Sequence, residues 1–189
     1  MIRTRHVFAG LASTVVIVAM SSTARALETL DIEIGAKVGY ATSPLSPSTV
    51  FGGNPLGFGV GGRIGLAFKA GPYIGGSFMA YPAGNGSLSV GPQGATSRSF
   101  STFLYGAELG YGIQPIDRLT IRPQLGFGDT SASSGAPVGI TFWYLQPGVT
   151  GLFDLGTLFV GADVGMLLFA NSNYEQAGFT FDAQVGVKF

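Results

Sequence analysis

The sequence predicts an all-β fold: an eight-stranded antiparallel up-and-down transmembrane β-barrel, preceded by a cleaved signal peptide. Three observations predict this fold. Charged residues make up only 11% of the chain, against about 25% in an average soluble domain. Glycine supplies 31 of the 189 residues, roughly twice its usual share of about 7%. Apolar residues alternate with glycine and polar residues in eight segments, each long enough to cross a bilayer as a tilted strand.

The first element along the chain is an export signal. Arg3 and Arg5 precede a mostly apolar run at 7–20, and a small-x-small site ends at Ala26. Since the run of 14 residues is shorter than the roughly 20 that a spanning helix needs, we expect cleavage after Ala26. The chain therefore divides into a signal peptide at 1–26 and a barrel domain at 27–189. Seven basic and ten acidic residues give the barrel domain a net charge of −3.

Glycine, proline, asparagine and serine separate the eight predicted strands of the barrel domain. The strands are predicted at Leu30–Tyr40, Leu56–Lys69, Pro72–Tyr81, Ser99–Ile113, Arg118–Gly128, Gly139–Phe153, Thr157–Phe169 and Gly178–Phe189. Three links are short: Ala70-Gly71, Gln114–Asp117 and Asp154–Gly156. The other four are longer: Ala41–Pro55, Pro82–Arg98, Asp129–Pro137 and Ala170–Ala177. Short turns at one rim and long loops at the other are typical of outer-membrane barrels, whose short turns lie on the periplasmic side.

Side-chain parity assigns the two faces of each strand. The strand-interior charges all share the parity that also carries most of the glycines; they are Asp31, Glu33, Lys37, Arg63, Lys69, Glu108, Arg122, Asp163, Asp182 and Lys188. The interior of an eight-stranded barrel is barely wide enough for side chains. Because the bulky apolar set would overfill it, we expect that set to face lipid and the charges to face the lumen.

Charges inside a narrow barrel must pair or meet water, because an isolated buried ion is very costly. We therefore predict a lumen network of Glu33, Lys37, Arg63, Glu108, Arg122, Asp163, Asp182 and Lys188. One interpretation is a salt-bridged plug that holds the lumen shut. A proton or ion path through the same residues is the alternative. A soluble periplasmic ligand-binding barrel, with its apolar set inward, is a further alternative.

The residues Leu27 to Phe189 resemble the small outer-membrane β-barrel families, such as the opacity-type and OmpX-like proteins. The resemblance rests on the signal peptide, the strand count, the unequal loops and the alternating apolar residues that end at Phe189. It implies that the barrel-assembly machinery reads an insertion signal at Phe179, Phe181, Val185, Val187 and Phe189. We also expect a monomer in contact with outer-membrane lipid and lipopolysaccharide. The implied role is structural, or a cell-surface interaction through the long loops.

The barrel domain carries no predicted catalytic, cofactor-binding or metal site. The chain has no cysteine, and its one histidine, His6, lies in the signal peptide, which disfavours Ser-His and Cys-His catalysis and zinc binding. A catalytic carboxylate pair among Glu108, Asp163 and Asp182 is disfavoured because basic residues balance them. No enzyme activity is expected. Nucleic acid is not an expected partner, since the chain has no basic run.

Two prolines interrupt the fifth and sixth predicted strands. Pro123 and Pro147 each remove a hydrogen bond from the ladder of a closed barrel. One interpretation is a bulge or bend. The other is a weakened seam between these two strands, through which a hydrophobic molecule leaves sideways into the membrane. A narrow channel or lateral conduit for small or hydrophobic molecules is therefore the competing function.

Overall fold

The computed structural model describes residues 30–42, 51–54, 56–89, 95–133, 140–171 and 174–189. The predicted signal peptide at 1–26 lies outside this part of the chain. The strands are β1 (Leu30–Thr42), β2 (Phe51–Asn54), β3 (Gly57–Phe68), β4 (Pro72–Ser89), β5 (Ala95–Tyr111), β6 (Ile113–Ile116), β7 (Leu119–Ser133), β8 (Ile140–Asp154), β9 (Leu158–Asn171) and β10 (Tyr174–Lys188). Among the described residues, no helix has the length and apolar character needed to cross a membrane.

Eight of the strands form a closed antiparallel barrel. Their order around the barrel is β3, β4, β5, β7, β8, β9, β10 and β1, and β1 returns to β3. The last strand, β10, pairs with β1 from Glu33 opposite Lys188 to Thr42 opposite Phe179. A closed barrel satisfies its backbone hydrogen bonds between strands and leaves no open edge. The predicted fold class is confirmed.

The remaining strands, β2 and β6, are short and were not predicted as separate elements. At its start β6 keeps the register of β5 against β7, since Gly110 lies opposite Gln124 and Ile113 opposite Ile121, and the register shifts before Ile116. The two missing rungs between β5 and β6 include the one at Pro123, which has no N–H to complete the ladder. β2 pairs with the far end of β4 and adds a third strand to the β4–β5 hairpin.

The strands run further at the long-loop rim than the sequence predicts. β4 continues to Ser89 and β5 begins at Ala95, so most of the predicted loop Pro82–Arg98 is paired strand. Most of the predicted loop Ala170–Ala177 is likewise paired, between β9 and β10. These loop predictions are wrong in extent. Glycine, serine and asparagine are depleted in strands only by a modest preference, and pairing with a neighbouring strand overrides it here.

The two faces of the wall carry the predicted chemistry. On β3, Arg63 is 3% exposed and the adjacent Ile64 is 57% exposed; on β10, Asp182 is 4% exposed and the adjacent Phe181 is 52% exposed. The apolar set therefore faces outward and the charged set faces inward. This arrangement contradicts the alternative of a soluble barrel with an apolar interior.

Asp129 departs from the predicted parity of the charges. Because β7 extends to Ser133, Asp129 lies inside a strand, on the outward face that also carries Phe127, and it is exposed. Its neighbours across the ladder are Tyr105 of β5 and Trp143 of β8, which are also exposed. Tyrosine and tryptophan are enriched where a membrane meets water. Asp129 therefore marks the level at which the lipid-facing wall ends on the long-loop side.

The two strand prolines interrupt different ladders from the one predicted. β7 and β8 pair continuously along their length, so the predicted weak seam between them is wrong. The β8–β9 ladder instead lacks its rungs at Gln146 and Pro147, while Leu145 and Gly148 keep the same register. A residue in an antiparallel ladder directs its N–H and C=O to one neighbouring strand. At Pro123 and Pro147 the backbone nitrogen and C=O point away from the β7–β8 pair, toward β5 and β9 respectively, so the missing N–H affects those ladders.

Candidate functional site

The lumen holds a buried network of charged side chains from six strands. All of them lie on the inward face of their strand, and none is more than 6% exposed. The network consists of Glu33 and Lys37 on β1, Arg63 on β3, Glu108 on β5, Arg122 on β7, Asp163 on β9 and Asp182 on β10. Below, Arg63 and Arg122 are called the arginine pair, and Asp163 and Asp182 the aspartate pair.

Glu33 lies between the two arginines. Arg122 donates from Nη1 and Nη2 to the two carboxylate oxygens of Glu33, at 2.8 Å each, a bidentate geometry that is among the strongest side-chain contacts. Arg63 Nη2 lies 3.5 Å from Glu33 and 3.8 Å from Glu108. At these distances Arg63 contributes ion pairs without a short hydrogen bond. The Arg122–Glu33 contact is therefore the strongest link on this side of the network.

Tyr73 of β4 lies against both arginines, and the sequence analysis missed it. The centre of its ring is 4.8 Å from the guanidinium carbon of Arg63 and 4.0 Å from that of Arg122. Both distances are within the range of cation–π attraction. The Tyr73 hydroxyl also donates to Glu108 Oε2 at 3.3 Å. Tyr73 thus connects three of the charged residues.

Two glycines make room for this ring. Gly65 of β3 and Gly75 of β4 lie directly opposite each other, and a Cβ atom at either position would collide with Tyr73. The glycines on the inward face therefore act here as space for an aromatic side chain. In the sequence, an aromatic residue on the inward parity with glycines two residues away on either side indicates a ring that fills the lumen in this way.

Lys37 joins the aspartate pair. Its Nζ is 2.8 Å from Asp163 Oδ2 and 3.3 Å from Asp182 Oδ2, and the two aspartates lie opposite each other on β9 and β10. Gln184 donates to Asp163 Oδ1 at 2.8 Å and accepts a hydrogen bond from Arg63 at 3.2 Å. Gln184 therefore links the two halves of the network.

Lys188, the eighth residue of the predicted network, lies at the short-turn rim. Its Nζ is 2.9 Å from Asp154 Oδ2 and 3.8 Å from Asp31 Oδ2. All three side chains are partly exposed. Lys188 thus pairs within a rim cluster, whereas the other seven predicted residues pair in the interior of the lumen.

A layer of apolar side chains fills the lumen on the long-loop side of the network. We call it the apolar cap, and it consists of Ala41, Leu56, Met79, Tyr81, Leu104, Tyr144 and Leu167, with Phe169 packed against it. Along the strands that carry both, the cap residues lie nearer the long-loop rim than the charged residues do. On β9, Leu167 follows Asp163 by four residues, and on β5, Leu104 precedes Glu108 by four. This layer was not predicted from the sequence, because alternation assigns bulky apolar residues to the outer face.

The acidic side chains of the lumen pair with basic and hydroxyl groups. None of the described residues forms a group of three or more histidine, cysteine, aspartate or glutamate side chains able to hold a metal ion. The aspartate pair shares Lys37, and Glu108 contacts Tyr73 and Arg63. Each of these carboxylates therefore has a cationic or hydroxyl partner within the lumen.

A closed eight-stranded barrel with an apolar outer wall and a charged lumen defines the class of membrane-spanning β-barrel proteins. Neither a protein-family profile nor a curated protein sequence matches the chain. Among solved structures, the barrel is similar to the crystal structure of Neisserial surface protein A, with a TM-score of 0.53 and 15% identity over 85% of this chain and 97% of that chain. It is also similar to Ail, the attachment invasion locus protein of Yersinia pestis, with a TM-score of 0.50 and 12% identity over 84% of this chain and 98% of that chain. The chain therefore has the fold of the small outer-membrane barrels.

Proposed function

We propose that the protein is an integral protein of a bacterial outer membrane, with a structural or cell-surface interaction role and no enzyme activity. The observation that carries this proposal is the filled lumen. The charge network occupies the middle of the barrel, and the apolar cap closes it toward the long loops. A barrel filled in this way is suited to anchoring, which leaves the segments outside the bilayer to make contacts.

The proposed location has two supports in the chain. The wall exposes a continuous apolar surface, and β-strands cross a membrane only as closed barrels, the architecture of outer-membrane proteins. The N-terminal segment at 1–26 has the composition of a cleaved signal peptide, which exports a chain across the inner membrane. In this orientation the short turns face the periplasm and the long-loop rim faces the cell exterior.

The proposed surface role rests on the long-loop rim. β4 and β5 continue as a paired hairpin beyond the level of Asp129, and β2 widens that hairpin to three strands. Paired strands hold a contact surface more firmly than irregular loops do. The similar structures bear the names of a surface protein and of an attachment invasion locus protein, and both names fit this role.

The proposed partners follow from the outer wall. Lipid and lipopolysaccharide cover the apolar band, and the barrel is a monomer. The residues of the proposed insertion signal all lie on the outward face of the C-terminal segment; they are Phe179, Phe181, Val185, Val187 and Phe189. An outward apolar row is accessible to the barrel-assembly machinery while the strand is still unpaired.

Cysteine labelling on intact cells tests location and orientation together. The chain has no cysteine, so Ser133→Cys at the long-loop rim and Asp117→Cys at the short-turn rim each introduce one thiol at an exposed position. A membrane-impermeant maleimide is expected to label the first variant on intact cells and the second only after lysis. Labelling of Asp117→Cys alone contradicts the orientation. Recovery of the protein without detergent contradicts the membrane location.

A narrow channel remains the competing function. The predicted lateral route lacks its basis, because β7 and β8 pair continuously. Single-channel recording on the purified protein in planar bilayers separates the two functions. Silent bilayers, with a heat-modifiable gel mobility that shows the barrel is folded, support the anchor. Steady openings contradict it.

A further inference from the structure

Closing the barrel requires β1 to adopt one register on β10 out of several that the outer wall would accept. The outward residues near the middle of the pair are all apolar; they are Ile34, Ala36, Val38, Ala183, Val185 and Val187. A one-residue slip would turn every inward charge toward lipid, so the alternating pattern excludes it. A two-residue slip returns each side chain to its own face, so the apolar pattern does not exclude that one.

The inward face of β1 distinguishes these registers by charge. Glu33 contacts the arginine pair on β3 and β7, and Lys37 contacts the aspartate pair on β9 and β10. β1 therefore presents an acid and a base, four residues apart, to a basic site and an acidic site formed by the rest of the barrel. A two-residue slip moves each charge about 7 Å along the strand and breaks contacts that are 2.8 Å long in the native register.

Gly39 distinguishes the registers by shape. Gly39 lies opposite Asp182, and a Cβ atom at this position would collide with the Asp182 carboxylate and with the backbone of β10. A two-residue slip in either direction brings Lys37 or Ala41 opposite Asp182 instead. Both carry a Cβ atom, so in the slipped registers β1 and β10 cannot approach at Asp182 as closely as they do in the native register.

We propose that Glu33, Lys37 and Gly39 select the register in which β1 closes the barrel on β10. The charged pair recognises the open sheet by complementary charge, and the glycine favours the native register because it allows the close approach of β1 to Asp182. This inference concerns the closing of the barrel. Its outcome is therefore separate from that of the proposed surface role.

Disulfide trapping measures the register directly, because no native cysteine interferes. Val38→Cys with Ala183→Cys reports the native register, in which these outward residues are opposite each other. Val38→Cys with Phe181→Cys, and Val38→Cys with Val185→Cys, report the two slipped registers. In an otherwise unchanged chain we expect the native pair alone to crosslink, since thiols two residues out of register are too far apart for a disulfide.

The test variant exchanges the two charges, as Glu33→Lys with Lys37→Glu, and keeps the composition. The ratio of native to slipped crosslinks is expected to fall about tenfold or more, as the loss of buried ion pairs implies. The matched control exchanges Asp31 and Lys188, two residues of opposite charge on the same two strands whose ion pair lies at the partly exposed rim. We expect that control to keep the native ratio.

A second variant covers the case in which the charge exchange prevents folding. Glu33→Gln with Lys37→Gln removes both charges and keeps side chains that form hydrogen bonds, and it is expected to give native and slipped crosslinks together. The proposal is overturned if the folded test variant crosslinks only in the native register. It is also overturned if the rim control loses the native ratio to the same degree.

Discussion

At the scale of single residues, Arg118 occupies a backbone position that suits glycine. It has a φ of 70° in the exposed turn between β6 and β7, whereas the turn between β8 and β9 uses Gly156 with a φ of 91°. A side chain in the left-handed region costs about 1–2 kcal/mol. We expect Arg118→Gly to raise the free energy of unfolding by about 0.5–1 kcal/mol, after the greater freedom of glycine in the unfolded chain is subtracted.

Gly156→Ala is the matched reverse of this change. A Cβ atom at Gly156 has no heavy atom within 4 Å, so only the backbone conformation is tested, and the free energy of unfolding should fall by about 1 kcal/mol. Urea titration followed by the fluorescence of Trp143, the one tryptophan of the chain, measures both variants. Equal stabilities for Arg118→Gly and the unchanged chain contradict the prediction.

Arg122 is the residue whose loss should destabilise the barrel most. Arg122→Leu leaves Glu33 buried with only the longer contact to Arg63, and breaking a buried ion pair costs about 3–5 kcal/mol. Urea titration in lipid vesicles measures the effect. Adding Glu33→Gln to the same chain should recover part of the loss, because the uncompensated charge is then absent.

The control for Arg122 is Lys188→Met at the rim. Lys188 and its partners are partly exposed, and such ion pairs contribute about 0–1 kcal/mol. An unchanged unfolding midpoint for Arg122→Leu shows that the network does not stabilise the barrel. A similar loss for both variants shows that burial of the pair is not the cause.

At the scale of strands, Pro147 determines where one ladder is incomplete. The β8–β9 register is the same on both sides of the missing rungs, so an N–H at position 147 lies ready to pair with β9. Pro147→Ala is expected to restore that rung and to raise the free energy of unfolding by about 1 kcal/mol. Amide hydrogen exchange should show a protected N–H at position 147. A rapidly exchanging amide there contradicts the prediction.

At this scale, the sequence predicts the features that depend on the two-residue alternation of side chains along a strand. Eight strands and the face of each lumen charge follow from alternation, because a misplaced parity would expose charge to lipid. The extent of β4, β5 and β10 at the long-loop rim does not follow, since their paired ends there have the glycine-, serine- and asparagine-rich composition that predicts a loop. The sequence also does not predict which ladder Pro147 interrupts, because that depends on the neighbouring strand toward which its backbone nitrogen points.

At the scale of the whole molecule, the sequence predicts which charges face the lumen but not which of them pair: Lys188 pairs in a rim cluster, apart from the other seven. Parity places Glu33 and Lys37 in the lumen, but their contacts on β3, β7, β9 and β10 depend on the stagger of the closed barrel. Tyr73 and the apolar cap escape prediction for another reason. An apolar side chain on the inward face contradicts the alternation rule. The glycines on either side of Tyr73 indicate a ring in the lumen, but only the closed geometry shows which residues it packs against.

The barrel is closed by two layers in series, and each should suffice alone. An ion crosses only if it finds a continuous path of water or polar groups, so it must pass both the apolar cap and the charge network. We therefore expect silent bilayers for the cap variant Leu104→Ala with Leu167→Ala. We expect the same for the network variant Arg63→Ser with Glu108→Ser, which removes one charge of each sign. Only the four substitutions together should give openings in single-channel recordings. Openings in the cap variant alone mean that the network is not a barrier to ions. Silence in the combined variant, with heat-modifiable mobility intact, means that a different part of the barrel closes the lumen.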